Sequence, residues 1–293
     1  MQVFVTGGTG TIGSAVVTEL VAHDHAVTAL ARSDASGAAL AAAGARPLRG
    51  DLADLDALRR GADAADGVIS LAFSRDYGSA ASVERGMLEE EAALGALGQA
   101  LVGSDRPLVV VSGTPWVAGR VATEADPLPT DGPVGRRALT VAAALALSDR
   151  GVRAAAVRMP RTVHADGQGG FNGLLADLAR RSGVAGYPGD GTQRWPAVHA
   201  ADAASLFRLV LEGAPAGSAW HAVADEGDPV ADIAAVIGRR LGLPVRSLPV
   251  EEFGPFGPIF ATDQPASSAR TREVLGWTPT HPGQLEDLEL LRP

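Results

Sequence analysis

The chain has 293 residues, 46% hydrophobic and only 4% aromatic, enough for one large core or a core with a smaller lobe. A net charge of −9 argues against a nucleic-acid or anionic-membrane partner. Cysteine is absent, which excludes disulfides, thiolate nucleophiles and cysteine-ligated zinc, and all 25 basic residues are arginine, which excludes a lysine Schiff base.

The first residues lack the basic, apolar and small-residue succession of a secretion signal, and no apolar run approaches the ~20 residues that span a bilayer. The expectation is a soluble cytoplasmic protein, monomer or homodimer, acting on a small molecule. His23, His25, His221 and His281 show no metal-ligand spacing with carboxylates, so no metal is expected.

Taken in chain order, apolar runs suited to strands alternate with Ala/Leu-rich helical segments, the mark of parallel βαβ units. Strands are expected at Gln2–Thr6, Ala26–Ala31, Arg46–Arg49, Gly67–Leu71, Leu108–Ser112 and Arg153–Arg158. Helices are expected at Thr11–His23, Gly37–Ala43, Leu55–Arg60, Ala80–Val102 and Arg136–Asp149. Several strands are apolar on both faces, as in a sheet covered on both sides. The fold class expected is α/β: a doubly wound parallel (Rossmann) sheet with a smaller interleaved C-terminal lobe.

Beyond Pro160 the rhythm changes. Gly, Pro and short helices are expected over 161–195, then an amphipathic helix at Ala201–Leu211, a strand at Ser218–Asp225 and a helix at Val230–Leu241. The segment PVEEFGPFGPIF reads as irregular and packed over a cleft. The division expected is a dinucleotide-binding domain over 1–160 and a substrate lobe over 161–293, with 196–225 crossing back. Glu89-Glu90-Glu91 reads as a solvated helix face.

The first chemical signal is VFVTGGTGTIG at residues 3–13. Gly7, Gly10 and Gly13 allow a tight turn, close approach of backbone to a diphosphate, and close packing of helix on strand. Thr9, Thr11 and Ile12 complete the turn, whose N–H groups face an anion at the positive end of the helix dipole. The second strand ends in LARSD, where Arg32 and Ser33 suit a ribose 2′-phosphate; Asp34 keeps a 2′-hydroxyl open. NADP(H) is therefore the cofactor expected, with NAD(H) possible. Asp51, followed by Leu52, is placed to accept from the adenine amino group, and Leu71, Ala72 and Phe73 to line the cofactor's middle.

Together these segments resemble the extended short-chain dehydrogenase/reductase superfamily, the NAD(P)-dependent epimerases, dehydratases and 3β-hydroxysteroid-dehydrogenase-like reductases. TGGTGTIG, GDL, LAF, VVVSGTPWVAG, GVRAAAVRMPRTVH, RWPAVHAADAA and SSARTREVLGWTPT follow that family's order over nearly the whole chain. The resemblance implies cofactor contacts at Ser112, Pro160 and Val163 and a carbonyl-polarising Ser/Thr at Thr114. It also implies a Tyr-x-x-x-Lys pair, and here the chain departs: the positions fall near Pro133 and Arg137, tyrosine occurs only at 77 and 187, and lysine nowhere. Arg137 can keep the ribose contact and positive field, but a guanidinium holds its protons too tightly to be a good proton donor.

His164, on a loop that in the family passes near the nicotinamide, is the candidate acid, being able to titrate near neutrality; a hydrogen-bonded loop histidine is the alternative. His199 and Asp202 read as structural. Phe73, Trp116, Phe171, Trp195, Phe253 and Phe256 are candidates for an apolar substrate wall, with Tyr187 either facing the cleft or packed in the core. The activity expected is NADP(H)-dependent reduction of a small apolar or cyclic carbonyl compound. A non-redox isomerase, dehydratase or cyclase and an NADP(H)-sensing regulator without turnover are the alternatives.

Overall fold

The computed structural model describes residues 1–74, 76, 79–132 and 135–293. Tyr77 and the Pro133 position therefore lie outside the described residues. In chain order the elements are β1 (Gln2–Thr6), α1 (Thr11–Ala22), β2 (Ala26–Ala31), α2 (Asp34–Ala42), β3 (Arg46–Arg49) and α3 (Leu55–Asp63). Next come β4 (Gly67–Ser70), α4 (Ala80–Leu101), β5 (Pro107–Gly113), α5 (Gly135–Leu145) and β6 (Arg153–Met159). They are followed by β7 (Thr162–His164), α6 (Gly170–Ser182), β8 (Ala185–Pro188), β9 (Arg194–His199), α7 (Ala200–Gly213) and β10 (Ser218–His221). The last are β11 (Asp225–Pro229), α8 (Val230–Leu241), β12 (Val245–Leu248), α9 (Gly257–Phe260), α10 (Ala269–Leu275) and α11 (Gln284–Leu288).

The chain divides into two compact units: residues 1–112, 128–158 and 203–220 form the first, and 113–127, 159–202 and 221–293 the second. The main sheet has the order β10-β6-β5-β4-β1-β2-β3. β1 pairs in parallel with β2 on one side and β4 on the other, and the β2–β3 and β4–β5 pairs are parallel too. All four residues of β4 are buried, as in a sheet with helices on both faces. The chain thus forms the expected α/β doubly wound sheet.

Strand order reverses at β1, so the loops leaving β1 and β4 diverge and open a crevice at the carboxyl end of the sheet. Beneath it Phe4, Leu58, Leu97, Leu108 and Val152 share one buried cluster. Gly61 is required there, because a Cβ would sit 2.5 Å from the Phe4 ring.

The second unit holds a three-stranded sheet ordered β11-β9-β7 and a two-stranded β12-β8 sheet. Its core gathers Leu175, Trp195, Ile233, Ile237, Phe253 and Phe260. The C-terminal segment is fastened to this core by hydrogen bonds. Gln284 donates from Nε2 to Trp195 O (2.8 Å) and from its backbone to Asp225 (2.9 Å). Asp287 accepts from Gly167 N at 3.0 Å, while Asp202 accepts from the backbones of Thr280 (2.9 Å) and His281 (3.0 Å).

Four expectations need correction. The single strand expected over Ser218–Asp225 is two strands in different sheets, broken at 222–224. α2 begins at Asp34, three residues early, because Ser33 and Ser36 form a reciprocal cap. The helix expected to run to Asp149 ends at Leu145 and tightens into a 3₁₀ turn over Ala146–Arg150, closed by Gly151 at φ 71°. The supposedly irregular PVEEFGPFGPIF is a 3₁₀ segment followed by α9, and it buries Phe253 and Phe260 in the core of its own unit. Among the described residues, no helix is long and apolar enough to cross a membrane.

Candidate functional site

In the first unit, the turn from β1 to α1 is built on close backbone contacts. Gly7 has φ +76°, and a Cβ there would meet Ala72 N at 2.7 Å and the Leu71 carbonyl carbon at 2.8 Å. A Cβ on Gly13 would lie 2.0 Å from Gly7 O, so the first helical turn folds flat onto the glycine bend. Thr6, fully buried, locks the neighbouring strand end. Its Oγ1 accepts from Leu71 N (3.2 Å) and Ala72 N (3.3 Å) and lies 3.3 Å from Ser70 Oγ. Sequence reasoning passed over Thr6, though a threonine directly before the glycine bend was its signal.

The helix that starts here ends in open donors. α1 has Gly10 as N-cap, no side-chain cap and no acidic residue in its first turn. By contrast Ser33, Asp54 and Ser79 cap α2, α3 and α4. An uncapped N-terminus leaves N–H groups and a positive dipole end for an anion.

A cavity of about 550 Å³ opens at this point, within the range of small-ligand and cofactor sites. Of the expected cofactor residues Gly7, Thr9, Gly10, Arg32, Asp51, Leu52, Leu71, Ala72 and Phe73 line it, joined by Leu30, Ser36, Gly50, Ser74, Asp76 and Glu89. Thr11, Ile12 and Gly13 form the helix start behind it, and Ser112 is buried at the end of β5. The cradle that a Cβ would fill, the uncapped helix and the exposed arginine on the lining together fit a dinucleotide diphosphate.

Charges along the cavity are distributed unevenly. Arg32 is exposed. Asp34 is held 2.7 Å from Arg49, an exposed ion pair that partly offsets its charge. Ser33 is committed to capping, its Oγ accepting from Ser36 N at 3.2 Å. Asp51 accepts through Oδ1 from Ala53 N (3.0 Å) and Asp54 N (3.1 Å), which fixes its carboxylate at the head of α3.

Arg137, on α5, points its Nε at both oxygens of Glu90, at 3.1 and 3.0 Å. Its guanidinium lies 4.8 Å from the centre of the Phe73 ring. The expectation that Glu89-Glu90-Glu91 is a solvated face is therefore corrected at its middle residue: Glu90 is 4% exposed. Burial pushes its carboxyl above the ordinary glutamate value, against the opposing pull of Arg137.

Within the second unit, Thr114 donates its backbone N–H to Met159 O at 2.9 Å and accepts at its own carbonyl from Gln264 Nε2 at 2.9 Å. Its Oγ1 is buried without a hydrogen-bond partner among the described residues. Trp116 is 52% exposed and donates Nε1 to Asp263 O at 3.0 Å. Pro160 is buried and Val163 half-buried on β7.

His164 is 2% exposed, with Nδ1 3.0 Å from Asp287 Oδ2. Its ring meets His199 edge-on at 5.6 Å, and His199 stacks on His281 at 4.5 Å. Desolvation, then the neighbouring His281 and His164, hold the His199 pKa below its ordinary value.

Of the aromatic residues expected at a substrate wall, Phe73 lines the cavity and Trp116 is exposed, whereas Phe171, Trp195, Phe253 and Phe256 serve packing. Trp195 is fully buried, and Phe171, Trp195, Phe253 and Phe256 all contact Phe260 within 6 Å. Tyr187 is half-buried against the same cluster. Arg161 caps this group, its guanidinium 5.1 Å from Phe171 and 5.7 Å from Trp195, and burial lowers its pKa to about 10.

The chain is 42% identical over 295 residues to the uncharacterized protein YLL056C of Saccharomyces cerevisiae, covering 98% of each. It is 41% identical over 297 residues to the uncharacterized protein C2A9.02 of Schizosaccharomyces pombe, again covering 98% of each. Among solved structures it resembles MoeE5 in complex with UDP-glucose and NAD, with a TM-score of 0.74, 26% identity, and 98% and 96% of the two chains covered. The family model for the NAD dependent epimerase/dehydratase family matches residues 3–222. With the glycine bend, the uncapped helix and the crevice at β1 in place, the chain belongs to the NAD dependent epimerase/dehydratase family.

Proposed function

We propose that the protein is an NADP(H)-dependent oxidoreductase that reduces a carbonyl compound. The observation that carries this reading is the cavity in which an uncapped helix terminus, the Gly7–Gly13 bend and Arg32 line one space, while Asp34 is turned to Arg49. The N–H groups at the head of α1 would hold the diphosphate, Arg32 the 2′-phosphate and Asp51 the adenine amino group. When bound, the nicotinamide supplies the hydride.

Thr114 is assigned to the substrate oxygen because its hydroxyl is buried and has no partner among the described residues. His164 sits 3.0 Å from Asp287 and is assigned to the proton, an imidazole being able to act as acid or base; the chain offers no lysine for that role. Since Phe171, Trp195, Phe253 and Phe256 are occupied in packing, they do not support a specifically apolar substrate.

The test follows NADPH absorbance across a panel of ketones and aldehydes for wild type, Thr114→Val and His164→Ala. Turnover by wild type that both substitutions slow at least tenfold supports the roles; unaltered turnover in both removes them. Family membership and the likeness to MoeE5, solved with UDP-glucose, favour a second reading in which a sugar nucleotide is epimerised or dehydrated. Product formation without net change in cofactor absorbance would select it.

A further inference from the structure

The chain fixes a cation against Phe73, a residue of the cavity lining, and the anchor of that cation is the buried Glu90. The Arg137 Nε is shared by the two Glu90 oxygens at 3.1 and 3.0 Å, and Nη2 reaches Val111 O at 3.4 Å. Three elements, α4, α5 and β5, thus hold one guanidinium. Its remaining nitrogen, Nη1, has no hydrogen-bond partner among the described residues. The plane of charge lies 4.8 Å from the centre of Phe73, which itself lines the dinucleotide cavity, as does the preceding residue of α4, Glu89.

An ion pair with its carboxylate buried and its guanidinium half-buried is a poor device for stability. Desolvation of a carboxylate consumes much of the attraction, and apolar residues of equal volume usually serve a core as well. What the pair does provide is orientation. Glu90 removes the rotamer freedom of a long side chain, and Phe73 adds a cation–π surface that keeps the guanidinium flat.

We propose that Glu90 is a positioning residue of the cofactor cavity: it fixes Arg137 so that Nη1 is presented to acceptor oxygens of the bound dinucleotide. The proposal rests on the dinucleotide reading above. It assigns to Glu90 no contact with the ligand; the effect passes through Arg137.

The experiment is a double-mutant cycle read by calorimetric titration of NADPH into wild type, Glu90→Gln, Arg137→Met and the double variant, with thermal melts for each. Glu90→Gln retains the shape and a hydrogen-bonding oxygen but loses the charge. Expected are about tenfold weaker binding for Glu90→Gln, at least as large a loss for Arg137→Met, and a double variant no weaker than Arg137→Met alone. A merely structural Glu90 would give losses that multiply. Unchanged affinity in Glu90→Gln, or full multiplication of the two losses, overturns the proposal. Should Glu90→Gln not fold, Glu90→Met, which replaces the charge by an apolar chain of similar length, is run through the same cycle with the same two refuting results. Wild type that binds neither NADPH nor NADH refutes the dinucleotide reading itself, a result distinct from a nucleotide-binding wild type whose Glu90 variants bind equally well.

Discussion

Replacing Arg32 by alanine is expected to separate the two pyridine coenzymes. Arg32 is exposed on the lining of the cavity, and Ser33 beside it is committed to the cap of α2. On the proposed reading, a 2′-phosphate would depend chiefly on one guanidinium. A hydrogen bond to a charged partner contributes about 1.5–3 kcal/mol. Exposure and a screening length of about 8 Å at physiological salt place this contact at the lower end, about 1.5–2 kcal/mol. That corresponds to a loss of roughly 10- to 30-fold in NADPH affinity. NADH has no 2′-phosphate and should change less than about twofold.

Calorimetric titration of both coenzymes into both proteins, repeated at low and high salt, measures the difference directly. The wild-type advantage for NADPH should shrink as salt rises. Equal losses for the two coenzymes would show that Arg32 supports the adenosine region generally. Tighter NADH than NADPH binding by wild type would show that Asp34, despite its 2.7 Å pairing with Arg49, governs the choice.

Two further outcomes follow from contacts already described. Gly13→Ala brings a Cβ to 2.0 Å from Gly7 O, a backbone atom with no rotamer to yield; denaturant melts should show at least the 1–3 kcal/mol typical of overpacking, and an unchanged midpoint would contradict the packing described. His199 has a folded pKa below its ordinary value of 6.5, through burial and then His281 and His164, with Asp287 and Asp202 opposing. As pH falls below 6.5 the unfolded chain binds this proton first, so stability declines with acidification, and His199→Asn should flatten that part of the profile. Thermal melts from pH 8 to 5 check it, and identical slopes in both proteins would exclude His199 as the source.

Much of the sheet could be read directly from the chain. β1, β2 and β3 carry the bounds expected; β1 and β2 are short β-prone runs, and β3 is a short segment set between the Gly44 turn and Gly50. The glycine cradle was legible for a similar reason: its function depends on backbone, and backbone needs are written in glycine spacing. Glu90 was not legible. A run of three glutamates on a helix reads as solvent-facing, and only α5 lying alongside α4 turns the middle one inward onto Arg137. The break between β10 and β11 was hidden too, since HAVAD continues the alternation of a strand while the chain changes sheets. Which aromatic residues face a cleft and which fill a core was not legible either: Phe73 lines the cavity, whereas Phe171, Trp195, Phe253 and Phe256 converge on Phe260.

Gln284 and Asp287 join β9, β11 and the Gly167 turn from the far end of the second unit. The first unit has its own late arrival, since β10 enters the sheet beside β6 after more than forty intervening residues. During synthesis, then, neither half can assume its final form in the order in which it is translated. An edge of the growing sheet waits for residues 218–221, and the partners of Asp202 and Trp195 wait for the segment from Thr280 onward to leave the ribosome. Folding should accordingly be paced by these delayed closures rather than by the overall burial of the finished protein.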